Sequence, residues 1–159
     1  MSIALYPGTF DPMTFGHIDL AKRALKIFDR VVVAIGVNPQ KNPIFSAEER
    51  SDMIREALND DRFEVDSYEG LTVHYAEKRG IHTVIRSLRT LDEFESEIAM
   101  TTANRVMLPE FESIYLPPSS QYAHISSTLV RVIGQFGGDL SPFVPPHIEK
   151  RLREVFPQA

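Results

Sequence analysis

Hydrophobic positions along this chain fall into short runs that alternate with stripes at helical spacing. Residues 3–5 are apolar and lead through a turn into Leu20, Ala21, Ala24, Leu25 and Phe28, which predicts a strand and then a helix over 16–28. Residues 31–37, VVVAIGV, contain no polar member, the pattern of a strand buried on both faces. Turn-forming residues fill 38–43. Ser46 and Glu49 have the spacing of a capping box, which opens a helix to about Leu58. Further strands are expected at 63–65, 83–86 and 113–116. Helices are expected at 73–79 (closed by Gly80), at 92–107, at 126–136, and from Pro145 or Pro146 onward.

Strands alternating with helices in this way predict an α/β fold. The expectation is a single-domain, Rossmann-like five-stranded parallel sheet with helices on both faces, spanning residues 1–159. In such sheets ligands bind outside the carboxyl ends of the strands. That rule selects the segments 7–17, 38–45, 69–72, 87–91 and 117–128. They hold Thr9, His17, Lys41, Arg89, Ser126, Ser127 and Thr128, with Arg86 at a strand end.

Charge sharpens the picture. The net charge is −5 and the pI near 5.5, which weighs against a nucleic-acid partner. The cations just named nevertheless gather at one edge, where a basic pocket for a small polyanion is expected. There is no cysteine, so disulfides and thiolate chemistry are excluded, and a cytoplasmic location is expected. The apolar runs are too short to span a bilayer and no basic segment precedes one at the N-terminus, so no membrane partner is expected.

The densest chemistry lies in residues 6–20, YPGTFDPMTFGHIDL. Gly8 is expected to adopt positive φ or to let a ligand approach the backbone, and Pro7 and Pro12 stiffen the turn. Gly16 keeps the helix start free of a side chain. His17 then falls in the first helical turn, where free amides and the helix dipole attract an anion. Taken alone, His17 reads as a surface histidine and Lys41, between Pro39 and Pro43, as a solvated lysine. The whole string suits a phosphate at a helix start. Arg86 and Arg89 offer guanidinium forks that match phosphate oxygens. Ser126, Ser127 and Thr128 give three hydroxyls at a helix start where one suffices for a cap, and the surplus is expected to form a second anion cradle. Glu93 reads as part of a solvated acidic face, and His124 as a local surface feature. His74, His82 and His147 lack metal-ligand spacing, so no protein metal site is expected. G-x-G-x-x-G, G-x-x-x-x-G-K-[ST] and G-x-S-x-G are all absent.

The string Gly8-Thr9-Phe10-Asp11-Pro12-x-Thr14-x-Gly16-His17 resembles the signature of the (H/T)-x-G-H nucleotidyltransferases. Threonine at the first motif position is similar to the bacterial phosphopantetheine adenylyltransferase family. That resemblance covers essentially the whole chain and includes Ile85-Arg86-x-Leu88-Arg89, Asp92-x-Phe94-Glu95-x-Glu97, Asn104-Arg105 and Ile125-Ser126-Ser127-Thr128-x-Val130-Arg131. It implies reversible transfer of the adenylyl group of ATP to 4′-phosphopantetheine, giving dephospho-CoA and pyrophosphate, a late step of coenzyme A biosynthesis. By the same resemblance Thr9, His17, Lys41 and Arg89 are catalytic. Thr9, Phe10, His17, Ser87, Leu88, Arg89 and Glu97 bind ATP together with Tyr122, Ala123, His124, Ile125, Ser126, Ser127 and Thr128. Thr9, Lys41, Thr72, Arg86 and Asn104 bind phosphopantetheine. A phosphate monoester, with a second pKa of about 6, is its own nucleophile and needs no general base. Mg²⁺ is implied to balance the triphosphate, a homohexamer is implied as the assembly, and CoA is implied as a further ligand.

The chain departs from the family pattern in five places. Ser87 stands where glycine is usual, Ser96 where tyrosine is usual, and Thr72 where a bulkier residue is usual. Thr128 replaces serine but keeps its hydroxyl, and residues 121–124 are less aromatic. Two other readings stay open. One is a nucleotidyltransferase that makes a CDP-alcohol or a dinucleotide, against which Thr14 and Ile85-Arg86-x-Leu88-Arg89 argue. The other is a non-catalytic nucleotide-sensing or assembly module, whose mark would be loss of His17, Lys41 or Arg89.

Overall fold

A computed structural model of the chain describes residues 1–38, 40 and 42–157. Five strands form one sheet: β1 (Ile3–Gly8), β2 (Arg30–Val37), β3 (Phe63–Glu69), β4 (Thr83–Ser87) and β5 (Glu112–Leu116). Their spatial order is β3-β2-β1-β4-β5 and every pairing is parallel. The helices are α1 (Phe15–Ala24), α2 (Ala47–Leu58), α3 (Thr72–Arg79), α4 (Leu91–Met107), α5 (Ser127–Gln135) and α6 (Pro146–Val155). The chain therefore has the expected single-domain α/β architecture.

Alternation along the central strands divides two cores. Ala4 and Tyr6 of β1, with Val31, Val33 and Ile35 of β2, face a large core closed by α1, α2, α5 and α6. Leu5, Val32, Ala34 and Val84 face a smaller core completed by Val73 and Ala76 of α3 and by Leu108 and Phe111. A strand covered on both faces must be apolar at every position, which is why β2 carries an unbroken run. Each such Val, Ile or Leu contributes about 1.5–3 kcal/mol on burial.

Two strands run further than their apolar residues indicate. β1 continues through Pro7 and Gly8, paired with Ala34 and Ile35. β3 continues to Glu69 as an edge strand in which Glu64 and Asp66 find local partners. Arg79 donates to Glu64 at 2.5 Å and to Asp66 at 2.7 Å, and the Tyr75 hydroxyl donates to Asp66 at 2.6 Å. Charged side chains on an edge also discourage pairing with another sheet.

The capping box of α2 forms as expected: the Ser46 hydroxyl accepts from Glu49 N–H at 3.1 Å, and Glu49 accepts from Ser46 N–H at 2.8 Å. Gly80 ends α3 in the left-handed conformation. α4 leans on β5 through Thr101, whose hydroxyl donates to Ser113 at 3.0 Å, and Asn104 of the same helix is buried. Its apolar residues Leu91, Phe94, Ile98, Met100 and Val106 remain exposed. No helix among the described residues is long and apolar enough to cross a membrane.

Strand order reverses at β1. The chain steps outward through β2 and β3, then returns to the opposite side of β1 to lay down β4 and β5. Beyond the carboxyl ends of β1 and β4 lies the crevice where such a sheet takes its ligand.

Candidate active site

The loop between β1 and α1 is fixed by its carbonyls. Arg50, 3 % exposed, donates from Nη1 to Thr9 O at 2.8 Å and from Nε to Ser46 O at 3.3 Å. Arg131 Nη1 donates to Asp11 O at 2.6 Å, and the Ser127 hydroxyl to Pro12 O at 2.7 Å. The buried Asp11 carboxylate accepts from Ile44 N–H at 2.9 Å and Phe45 N–H at 3.1 Å, which ties this loop to the one after β2. The carbonyls of Thr9, Asp11 and Pro12 are thus occupied by donors from elsewhere, which lowers their repulsion of an incoming anion.

Gly8 borders the first cavity but does not take the positive φ that was one of the two expectations for it. The left-handed residue is Phe10, at φ 48°, and the space above Gly8 is filled by the Phe10 ring. A Cβ at Gly8 would lie 2.8 Å from Phe10 Cζ. The ring also packs edge-on to Tyr6 and to His17, with both centroid distances 5.2 Å. A bulky residue at positive φ costs about 1–3 kcal/mol, and here the buried ring holds it in place.

Thr14 and His17 build a capping box with histidine in the position that glutamate or glutamine usually takes. The Thr14 hydroxyl accepts from His17 N–H, and His17 Nδ1 accepts from Thr14 N–H at 3.0 Å. A backbone N–H can only donate, so Nδ1 carries no proton and a neutral ring holds its proton on Nε2. Burial, and after it the charge of Arg89, lowers the His17 pKa to about 4. His17 is therefore a neutral Nε2–H donor at pH 7, a state that the sequence did not define.

Two cavities meet at this residue. The first, of about 240 Å³, has Phe10, His17, Arg86, Arg89, Tyr122 and Ile125 in its walls. The second, of about 590 Å³, is bounded by Thr9, His17, Arg89, Ser126, Thr128 and Arg131. Phe10, His17 and Arg89 belong to both. Together they fall within the usual range for a small-molecule site, about 300–1,000 Å³.

Of the expected cations Arg86 and Arg89 are here, and both are already paired. Arg86 Nε donates to Glu97 Oε2 at 3.0 Å while its Nη2 donates to the other oxygen of the same carboxylate. Arg89 meets Glu93 through Nη2 at 2.7 Å and through its backbone N–H at 2.9 Å, and reaches Ile125 O from Nη1 at 3.2 Å. Glu93 is therefore not part of a solvated face: it lines the first cavity and holds Arg89. Arg89 lies just before the Thr90 cap of α4, and its four-residue spacing from Glu93 was a usable signal.

The three hydroxyls at the start of α5 divide their work. Ser126 caps the helix by accepting from Leu129 N–H at 3.1 Å, Ser127 holds Pro12, and Thr128 accepts from Arg131 at 3.3 Å. The surplus hydroxyls therefore link α5 to the β1–α1 loop, while Ser126, Ser127 and Thr128 all border the second cavity.

Of the residues singled out from sequence, the cavities bring together Thr9, Phe10, His17, Arg86, Ser87, Arg89, Glu97, Tyr122, Ile125, Ser126, Ser127 and Thr128. Thr72, Leu88, Asn104, Ala123 and His124 line neither. The Thr72 hydroxyl lies 2.7 Å from that of Tyr68, and the His124 ring packs on Phe143. Lys41 lies outside the described residues. Arg50, Arg131 and Tyr6 belong to the site without having been singled out individually. Arg131 sits four residues past Ser127, one helical turn on, which places it beside the same helix start.

A parallel sheet with its crevice at the β1–β4 reversal, and a Thr-x-Gly-His capping box at the mouth, defines a nucleotidyltransferase fold and site. The cytidylyltransferase-like family model matches residues 5–133. A bifunctional NMN adenylyltransferase/ADP ribose pyrophosphatase from Francisella tularensis shares the fold, with TM-score 0.70 and 17% identity over 98% of this chain and 52% of that one. The phosphopantetheine adenylyltransferase of Carboxydothermus hydrogenoformans is 45% identical over 157 residues, 98% of this chain and 97% of that protein. That of Anaeromyxobacter dehalogenans strain 2CP-C is 47% identical over 151 residues, 94% and 92% of the two chains. The chain belongs to the phosphopantetheine adenylyltransferase family.

Proposed function

We propose that this site transfers the adenylyl group of ATP to 4′-phosphopantetheine. An oxygen of the acceptor phosphate attacks the α-phosphorus of ATP in line. The new P–O bond forms as the α–β bridging bond breaks, its electron pair leaves on pyrophosphate, and dephospho-CoA is the other product. The dianionic acceptor needs no base, so the protein contributes positioning and charge stabilisation. The observation that carries this reading is the neutral Nε2–H of His17, set between two cavities bordered by arginines, in a chain of this family.

In this reading the apolar wall of Pro118, Tyr122 and Ile125 takes the base, His17 and Thr9 take the α-phosphate, and the start of α5 with Arg89 takes the outer phosphates. Arg86 takes the acceptor phosphate, with Glu97 moving aside or sharing it. Lys41 offsets charge in the transition state. Mg²⁺ accompanies the triphosphate. Mg²⁺ keeps several waters and binds substrate phosphates readily, so the ion would be held mostly by phosphate oxygens and water. The exposed apolar residues of α4 support association with further copies, which we read as a homohexamer; the acidic composition and absence of cysteine support a cytoplasmic setting, and CoA would compete for the pantetheine side of the site.

Pyrophosphate release from Mg·ATP, with phosphopantetheine and pantetheine as parallel acceptors, tests the reaction. Release with phosphopantetheine alone is expected. Equal release with both would remove the acceptor phosphate from the mechanism, and release with neither would sink the proposal.

A further inference from the structure

Tyr6 is the last side chain on β1 to face the large core, and it is 5 % exposed. A buried tyrosine normally finds a partner for its hydroxyl. Among the described residues that hydroxyl has no hydrogen bond, although the ring is well fixed by edge-on contact with Phe10. No fully enclosed side-chain nitrogen or oxygen lacks a partner among the described residues. An unbonded Tyr6 hydroxyl must therefore touch open space, and the space beside it is the first cavity, whose wall it forms. Burial raises the phenol pKa well above its ordinary value, with Arg86 and Arg89 pulling the other way, so the group stays protonated and is a donor at pH 7.

We infer that the Tyr6 hydroxyl is a substrate-binding group that donates a hydrogen bond to an oxygen of the bound nucleotide. The cavity it faces joins an apolar wall, Tyr122 and Ile125, to the guanidinium group of Arg89, which the proposed function gives to ATP. Flat apolar surface beside cations is the chemistry of a nucleoside phosphate, and a protonated phenol between them completes it. The inference rests on the ATP side of the proposed function. It also explains why an unpaired hydroxyl is kept in a core position that phenylalanine would fill.

The test is Tyr6→Phe, which removes one oxygen and leaves the ring contacts. A lost hydrogen bond to a charged group raises the dissociation constant by about 10-fold or more. Calorimetric titration with Mg·ATP is expected to show that loss. KM for phosphopantetheine should stay within about twofold of wild type, because only the nucleotide loses a partner. The melting temperature of the ligand-free protein should stay the same or rise, since no folded-state bond is removed. Unchanged ATP affinity overturns the inference. So does a fall in ligand-free melting temperature that accounts for the loss, because that is the behaviour of a structural hydroxyl. ATP binding needs no turnover, so a wild type that binds ATP without releasing pyrophosphate would refute the reaction and leave Tyr6 to be judged on affinity alone.

Discussion

Lowering the pH tests how His17 is held. Its pKa is about 4 in the folded protein against 6.5 for a free histidine, with burial the larger cause and Arg89 the smaller. Between those values the unfolded chain takes up a proton that the folded chain refuses. The stability at stake is complete above pH 6.5, is lost as pH falls from 6.5 towards 4, and changes no further below that. At about 1.4 kcal/mol per pH unit the window amounts to roughly 3 kcal/mol, trimmed to about 2 because the ring borders an open cavity. Carboxylates titrate in the same range, so the wild type alone cannot isolate His17. The comparison is His17→Gln, since glutamine at this position keeps a capping box and does not titrate. Urea unfolding of both proteins, from about pH 7.5 to about pH 4.5, gives the difference, in which shared carboxylates cancel. The wild type is expected to lose about 2 kcal/mol more than the variant across that range. The variant should also lose about 100-fold or more in adenylyl transfer at pH 7.5, the cost of a removed transition-state donor. Parallel stability curves for the two proteins would refute the argument that this imidazole is kept neutral by burial and by the Thr14 amide.

Three further substitutions probe the cradle. Gly8→Ala sets a methyl group 2.8 Å from Phe10 Cζ and is expected to cost about 1–3 kcal/mol, or about 2–4 °C in melting temperature for each kcal/mol; an unchanged melting temperature would mean that the ring does not lie there. Arg50→Met strips donors from Thr9 O and Ser46 O and should cost about 2 kcal/mol in urea unfolding and lower kcat, whereas wild-type kcat in the folded variant would dissociate Arg50 from loop positioning. Glu97→Gln weakens the carboxylate's hold on Arg86 and should lower KM for phosphopantetheine by about threefold, the worth of a modest charge pair; an unchanged KM would show that Glu97 does not compete for the fork.

The fold was legible because its central strand is buried on both faces and its helices carry local stop and start signals. Residues 31–37 could be read as a strand without any knowledge of neighbours, and Ser46 with Glu49 marks a helix start by chemistry confined to one turn. β3 was read short because its outward carboxylates look like loop residues until Arg79 and Tyr75 are placed beside them, nine to fifteen residues away. Boundaries of edge strands depend on partners that periodicity does not contain.

The site divides along the same line. Thr9, His17, Arg86, Arg89 and the start of α5 follow from a rule about strand ends, which acts on local sequence once the strands are known. The long-range contacts that fix the loop do not follow, because they join residues tens of positions apart. Arg131 reaches Asp11 across 120 positions, and Arg50 reaches Thr9 across 41. Nearer pairs, eleven and four residues apart, change the electrostatics that counting cations suggested. The crevice is not simply basic: Arg86 and Arg89 each face a carboxylate, so an incoming phosphate meets guanidinium groups already oriented and partly neutralised. Orientation held by an internal carboxylate limits the side-chain entropy lost on binding, and exchange of one anion for another keeps each guanidinium paired. His17 uses the same device with a neutral partner. Its ring is fixed by a backbone amide rather than by a charge, which leaves Nε2–H as a donor at physiological pH and keeps the Thr-x-Gly-His spacing tied to the geometry of one helical turn.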